Sequence, residues 1–268
     1  MPAPRPLVIL LHSSAGSSRQ WDSLATLLEP RFRVLAIDLH GHGQRPAWAG
    51  TGSMTLADEA HLALAPLLAE DGSAHVVGHS YGGAVALRLA SMAPQAVRSV
   101  LVYEPVLFRW AFDDAATQRE VGRDFLDGVD TIGVCLDRGD RHGAGRRFID
   151  FWSGKGTWAA MPPGPQQKVA DRMPAVFAQF DTLFHEPLAP EQLARMEVPM
   201  SFLSGADTVA VTRRIAAAAR AALPRAGHAA LAGMGHMGPI THAARVNERI
   251  VEHLQAHAFS SAPLEAVA

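Results

Sequence analysis

Gly78-His79-Ser80-Tyr81-Gly82-Gly83 follows the apolar stretch Ala74-His75-Val76-Val77 and precedes the small-residue stretch Ala84-Val85-Ala86-Leu87-Arg88-Leu89-Ala90. The pattern reads as strand, sharp turn, helix, with Gly-x-Ser-x-Gly at the turn. A serine held in such a bend has its hydroxyl pushed out of the backbone. Side chains at positions 78 or 82 would collide with the neighbouring strand or helix, which is why glycine is needed there.

The flanking sequence repeats the alternation. Leu7–Leu11 is a continuous apolar run, suited to a strand covered on both faces. Helical spacing over Ser17–Glu29 places Trp21, Leu24, Leu27 and Leu28 on one face. Strands follow at Phe32–Ile37, Ala74–Val77, Ser99–Tyr103, Met200–Ser204 and His228–Leu231. Helices are expected at Thr55–Glu70, after Ser80, at Ala210–Leu223 and at Ile240–His257. Strands alternating with helices imply an open parallel sheet covered on both sides, an α/β fold of about six strands.

The rhythm breaks between Pro105 and Pro190, a stretch without a clear strand and rich in Phe and Trp. It reads as a helical cap over 105–190, inserted after the fourth strand into a core formed by 1–104 and 191–268. Most of its aromatics are expected to fill the cap itself, with a few lining an apolar pocket.

Composition limits the partners. A net charge of −2 gives no electrostatic case for nucleic acid. No stretch approaches the length of a membrane span, and Met1–Pro6 lacks the apolar core of a signal peptide. The single Cys135 excludes an internal disulfide and reads as a packing residue in a reducing compartment, so a cytoplasmic location is expected. The tail from Ala258 is expected to fray. His40 and His42 lack the carboxylate or cysteine company of a metal site; no metal and no cofactor are expected. The charged run Asp137–His142 with Arg146 and Arg147 reads as a solvated face.

A serine hydroxyl needs a base, an acid that orients the base, and donors for the oxyanion. In chain order these fall at Ser80, Asp207 in the loop after the fifth strand, and His236 in the Gly-rich loop after the sixth. All lie at carboxyl ends of strands, where sites of such sheets collect. Glu104, ending the fourth strand, is the alternative acid. Oxyanion donors are expected from the Tyr81 amide, at a helix N-terminus, and from the loop after the first strand, with Ser14 ahead of Ser13.

On these residues the chain resembles the α/β-hydrolase superfamily, in the branch of capped esterases, cofactor-free haloperoxidases and meta-cleavage-product C–C hydrolases. The resemblance runs through Leu11-His12 to Trp21, Asp38-Leu-His-Gly-His-Gly43, the Ser80 turn, Asp207 and His236. Relatives usually carry His-Gly where this chain has His12-Ser13, and two further strands ahead of that loop. A six-stranded sheet lacking those two is therefore expected.

The resemblance implies hydrolysis of a small or medium carboxylic ester of an apolar acyl group. The alternatives are C–C cleavage of a meta-cleavage product, perhydrolase or haloperoxidase-like activity, or a hydrolase-like protein that only binds a ligand. Serine at position 80 argues against dehalogenase and epoxide hydrolase chemistry. Self-association through the cap is left open.

Overall fold

A computed structural model describes residues 5–69, 74–112 and 115–258. Glu70, expected to end a helix, and the tail beyond Ala258 lie outside the described residues, as do Met1–Pro4.

The apolar runs become strands β1 (Leu7–Leu11), β2 (Arg33–Ile37), β3 (Ala74–His79), β4 (Val97–Tyr103), β5 (Met200–Gly205) and β6 (Gly227–Leu231). They form one six-stranded sheet in the order β2-β1-β3-β4-β5-β6. Every pairing is parallel. The all-buried β1 and β3 sit inside the sheet, whereas β2 and β6 are its half-exposed edges.

Successive residues of a strand point to opposite faces, and the core divides accordingly. Val8, Leu10, Val77, Leu101 and Leu203 pack against α1 (Asp22–Leu28) and α11 (Ala243–His257) through Leu24, Leu28, Val246, Ile250 and Leu254. Ile9, Leu11, Val76, Val100 and Val102 pack on the other face with residues of α2 (Leu56–Leu68) and α3 (Tyr81–Met92). Each fully buried aliphatic side chain contributes about 1.5–3 kcal/mol. Helix α2 starts at a capping box in which Thr55 Oγ1 accepts from the Asp58 amide and Asp58 Oδ2 accepts from the Thr55 amide.

Between β4 and β5 the chain forms α4 (Ala115–Asp137), α5 (Arg141–Ser153), α6 (Thr157–Ala160), α7 (Pro163–His185) and α8 (Pro190–Ala194). Phe108, Phe125, Phe148, Trp152 and Phe180 are joined there by ring contacts. Cys135 packs partly buried against the main core. After β5 come α9 (Ala210–Ala222) and, past β6, the short α10 (Gly238–Thr241), separate from α11. The expected helix from Ile240 is therefore two pieces. Among the described residues no helix is long and apolar enough to cross a membrane.

A buried polar chain lies beneath the sheet. Ser99 Oγ is 2.7 Å from His75 Nδ1 and 2.9 Å from His253 Nε2, and Ser201 Oγ is 2.9 Å from His253 Nδ1. Burial, and then the nearby charge of Arg98, lowers His75 to about 4. Burial, and then His257 and His75, lowers His253 to about 3. Both rings are neutral when folded and bind protons near pH 6.5 when unfolded. The stability they carry is complete above that pH and is lost as pH falls toward 4 and 3. At pH 4.5 the loss is roughly 3 kcal/mol per imidazole. The urea midpoint is expected to drop steeply between pH 6.5 and 4.5. A flat midpoint over that range would show that these rings protonate freely in the native state.

Candidate active site

The turn after β3 places Ser80 at φ 56° and ψ −118°, a backbone region that costs a residue with a side chain about 1–3 kcal/mol. The bend is held by the Ser80 amide donating to Tyr103 O at 3.0 Å and by the Ala84 amide donating to Ser80 O at 3.1 Å. A Cβ at Gly82 would strike the carbonyl oxygens of Leu11 and His12, and one at Gly78 would strike the Gly82 backbone. Strand β1, its following loop and the start of α3 can meet only with glycine at both positions.

His236 sits in the loop between β6 and α10. Its Nδ1–H donates to Glu104 Oε2 at 2.7 Å, which leaves Nε2 to accept the Ser80 hydroxyl at 2.9 Å. Two backbone anchors hold the loop. His79 Nε2–H donates to His236 O at 2.8 Å, and the Tyr103 hydroxyl donates to Gly235 O at 2.8 Å. Burial, and next the neighbouring His236, holds His79 well below the usual imidazole range. A neutral His79 thus adds no second positive charge beside His236.

The acid beside His236 is Glu104, and Asp207 stands apart. Glu104 follows β4, the neighbour of the nucleophile's strand, and turns inward with φ 44°. Its Oε1 accepts from the Gly205 amide at 2.7 Å, and its Oε2 also accepts from Thr208 Oγ1 at 2.7 Å. Asp207 is exposed, with its amide tied to Met234 O at 2.9 Å. Among the described residues its carboxylate has no hydrogen bond or ion pair. The reason is local: Gly205 packs directly on the Met234 backbone, so the chain leaves β5 with Asp207 outward and Thr208 inward. Of the two carboxylates considered from the sequence, the structure sets Glu104 against His236 and leaves Asp207 out of contact with it.

The loop after β1 separates the two candidate oxyanion donors. The Ser13 amide and hydroxyl both donate to Gln20 Oε1, at 3.1 and 3.0 Å. Gln20 Nε2 in turn donates to His79 Nδ1 at 3.1 Å. The Ala15 amide donates to His42 Nε2 at 3.0 Å, with Ala15 itself at φ 58°. Among the described residues only the Ser14 amide of these three is left without an acceptor. The Tyr81 amide, first in α3, has no acceptor inside its helix. His12 supports the loop from below, accepting from the Leu39 amide at 3.0 Å; burial, and next His42, lowers it to about 3. His42 Nδ1–H donates to His40 O at 2.8 Å, and His40 Nδ1 lies 3.1 Å from the buried Glu59. Both histidines of the Gly-rich turn are thus spoken for by scaffold contacts.

Trp152 of α5 lies over His236, with ring centroids 4.3 Å apart and planes inclined by 35°. Ser80 is 5% and His236 3% exposed, with Trp152 of the inserted stretch against the imidazole. Sequence reasoning did not single out Gln20 or Thr208; it weighed His42 only as a metal ligand and counted Trp152 only among the aromatics of the inserted stretch. The only hint for Thr208 was its place one residue after a suspected acid.

This chain matches the alpha/beta hydrolase family over residues 8–249. It is similar to lipase LipV of Mycobacterium tuberculosis, 39% identical over 102 residues, which is 37% of this chain and 37% of that protein. It is also similar to the dihydrolipoyllysine-residue acetyltransferase component of the acetoin cleaving system of Cupriavidus necator, 42% identical over 114 residues, 41% of this chain and 29% of that protein. Each match thus spans well under half of the relative's length. Among solved structures, MenH from S. aureus superimposes with a TM-score of 0.77 at 18% identity, over 95% of both chains. The esterase RhEst1 from Rhodococcus sp. ECU1013 superimposes with a TM-score of 0.73 at 21% identity, over 94% of this chain and 91% of that one. These two likenesses speak for the fold. With the family match covering nearly the whole sheet and the turn at Ser80, the chain belongs to the alpha/beta hydrolase family.

Proposed function

We propose that this protein is a serine esterase that cleaves a small or medium carboxylic ester through an acyl-enzyme on Ser80. The observation that carries the reading is the continuous chain Ser80 Oγ, His236, Glu104, with links of 2.9 and 2.7 Å. Ester hydrolysis is also what the names of several relatives state, among them lipase LipV and esterase Rv0045c of Mycobacterium tuberculosis.

As Ser80 Oγ bonds to the ester carbonyl carbon, its proton passes to His236 Nε2. Glu104 holds the imidazole in the Nδ1–H tautomer and stabilises the cation that forms. The Ser14 and Tyr81 amides receive the oxyanion. Collapse breaks the bond to the alcohol oxygen, which leaves with the proton from His236. Water then repeats the sequence on the acyl-enzyme and frees the acid. The inserted helices act as a cap, and the aromatics around Trp152 favour an apolar acyl group.

A fluorophosphonate probe tests this directly. Folded protein is expected to gain one adduct, located on Ser80 by peptide mass mapping, and to hydrolyse p-nitrophenyl butyrate. Protein that neither labels at Ser80 nor turns over any short-chain ester would remove the proposal.

A further inference from the structure

Gln179 on α7 is 1% exposed. Its Oε1 accepts the Ser14 hydroxyl at 2.6 Å, which leaves both hydrogens of Nε2 to find acceptors. Among the described residues Nε2 is buried and has no acceptor. An unmade hydrogen bond of this kind costs about 1–3 kcal/mol. Helix α7 is tied to the core segments on both sides of Gln179. Arg172 Nη1 donates to Ala15 O at 2.6 Å, and Thr182 Oγ1 donates to Met54 O at 2.8 Å.

The residue after Gln179, Phe180, contacts Phe108, Phe125 and Phe148, and Phe125 contacts the Trp152 that covers His236. The loop that Gln179 touches is the one whose Ser14 amide is also unfilled. A neutral donor without an acceptor, one hydrogen bond away from that loop, suits a neutral oxygen arriving with a ligand. A charged group buried there would carry a large desolvation penalty.

We infer that Gln179 is a specificity residue that selects esters whose acyl part carries a second, uncharged acceptor oxygen, keto or ether, within a bond or two of the scissile carbonyl. The inference rests on the esterase reading of Ser80. It predicts recognition through Nε2, distinct from a structural role through the Ser14 contact.

The test compares p-nitrophenyl methoxyacetate with p-nitrophenyl butyrate, acyl groups of the same chain length that differ by one ether oxygen. The ratio of their kcat/KM values is measured in the native protein, in Gln179→Leu and in Ser14→Ala. Intrinsic reactivity differences cancel between proteins. Gln179→Leu is expected to lower the ratio of methoxyacetate to butyrate kcat/KM about tenfold, whatever its effect on the two esters together. Ser14→Ala breaks the same hydrogen bond from the other side but keeps Nε2, and is expected to retain the preference. Equal losses on both esters in Gln179→Leu, an unchanged ratio, or a Ser14→Ala variant that reproduces the loss would each overturn the inference.

If the native protein hydrolyses neither ester, the esterase reading fails separately. The recognition claim is then decided by calorimetric binding of methoxyacetanilide and butyranilide to Ser80→Ala protein. Tighter binding of the methoxy compound that disappears with Gln179→Leu supports it, and equal binding refutes it.

Discussion

Glu104→Gln is expected to lower kcat/KM for a short-chain ester by roughly 10³- to 10⁴-fold. Asp207→Asn is expected to stay within about twofold of the native protein, as surface changes do. The glutamine keeps the length and shape of the side chain: its carbonyl oxygen can still accept from the Gly205 amide, while the Thr208 hydroxyl turns to accept from its NH2 group. What disappears is the negative charge 2.7 Å from His236 Nδ1. An amide nitrogen facing that position would turn the imidazole to the tautomer that cannot take the Ser80 proton. The neutral partner would also leave the imidazolium of the transition state uncompensated. Asp207, exposed and tied only by its backbone, has no path to the ring. Steady-state kinetics of the two variants, with melting curves to show that both fold, decide the matter. Greater damage from Asp207→Asn would return the role to the loop after β5.

Ser80→Ala is expected to cost about 10⁶-fold in kcat, leaving only what positioning and the two amides provide. The variant is also expected to lose the fluorophosphonate adduct. Stability is expected to change by less than about 1 kcal/mol. Alanine inherits the same φ of 56°, and among the described residues the hydroxyl bonds to His236 alone. A melting temperature within a few degrees of the native value separates loss of chemistry from loss of fold. Ester turnover that survives in this variant at native rates would mean that another nucleophile acts.

Much of the architecture was legible because it follows from short-range chemistry. Leu7–Leu11 can be a strand covered on both faces and little else. The glycines around Ser80 announce a close approach that the Leu11 and His12 carbonyls then explain. Which carboxylate faces His236 was not legible for a definite reason. Two carboxylates, Glu104 and Asp207, both end parallel strands on the same side of the sheet, and chain order accommodates either. Their side-chain directions decide, and these depend on a left-handed backbone at Glu104 and on the Gly205–Met234 contact, neither of which a single sequence displays. Nor could a sequence show that Gln20 reaches back to occupy the Ser13 amide and leaves that of Ser14 unengaged. The inserted stretch showed its aromatic content plainly. That Trp152 would cover His236, and that Gln179 would reach Ser14, required the packing of separate helices.

The indole above His236 has an optical consequence. A protonated imidazole quenches an adjacent tryptophan far more strongly than a neutral one. With the two rings 4.3 Å apart, Trp152 emission becomes a readout of the charge on its neighbour. Rapid-mixing fluorescence with a substrate would then register each proton arrival and departure in real time, without a label.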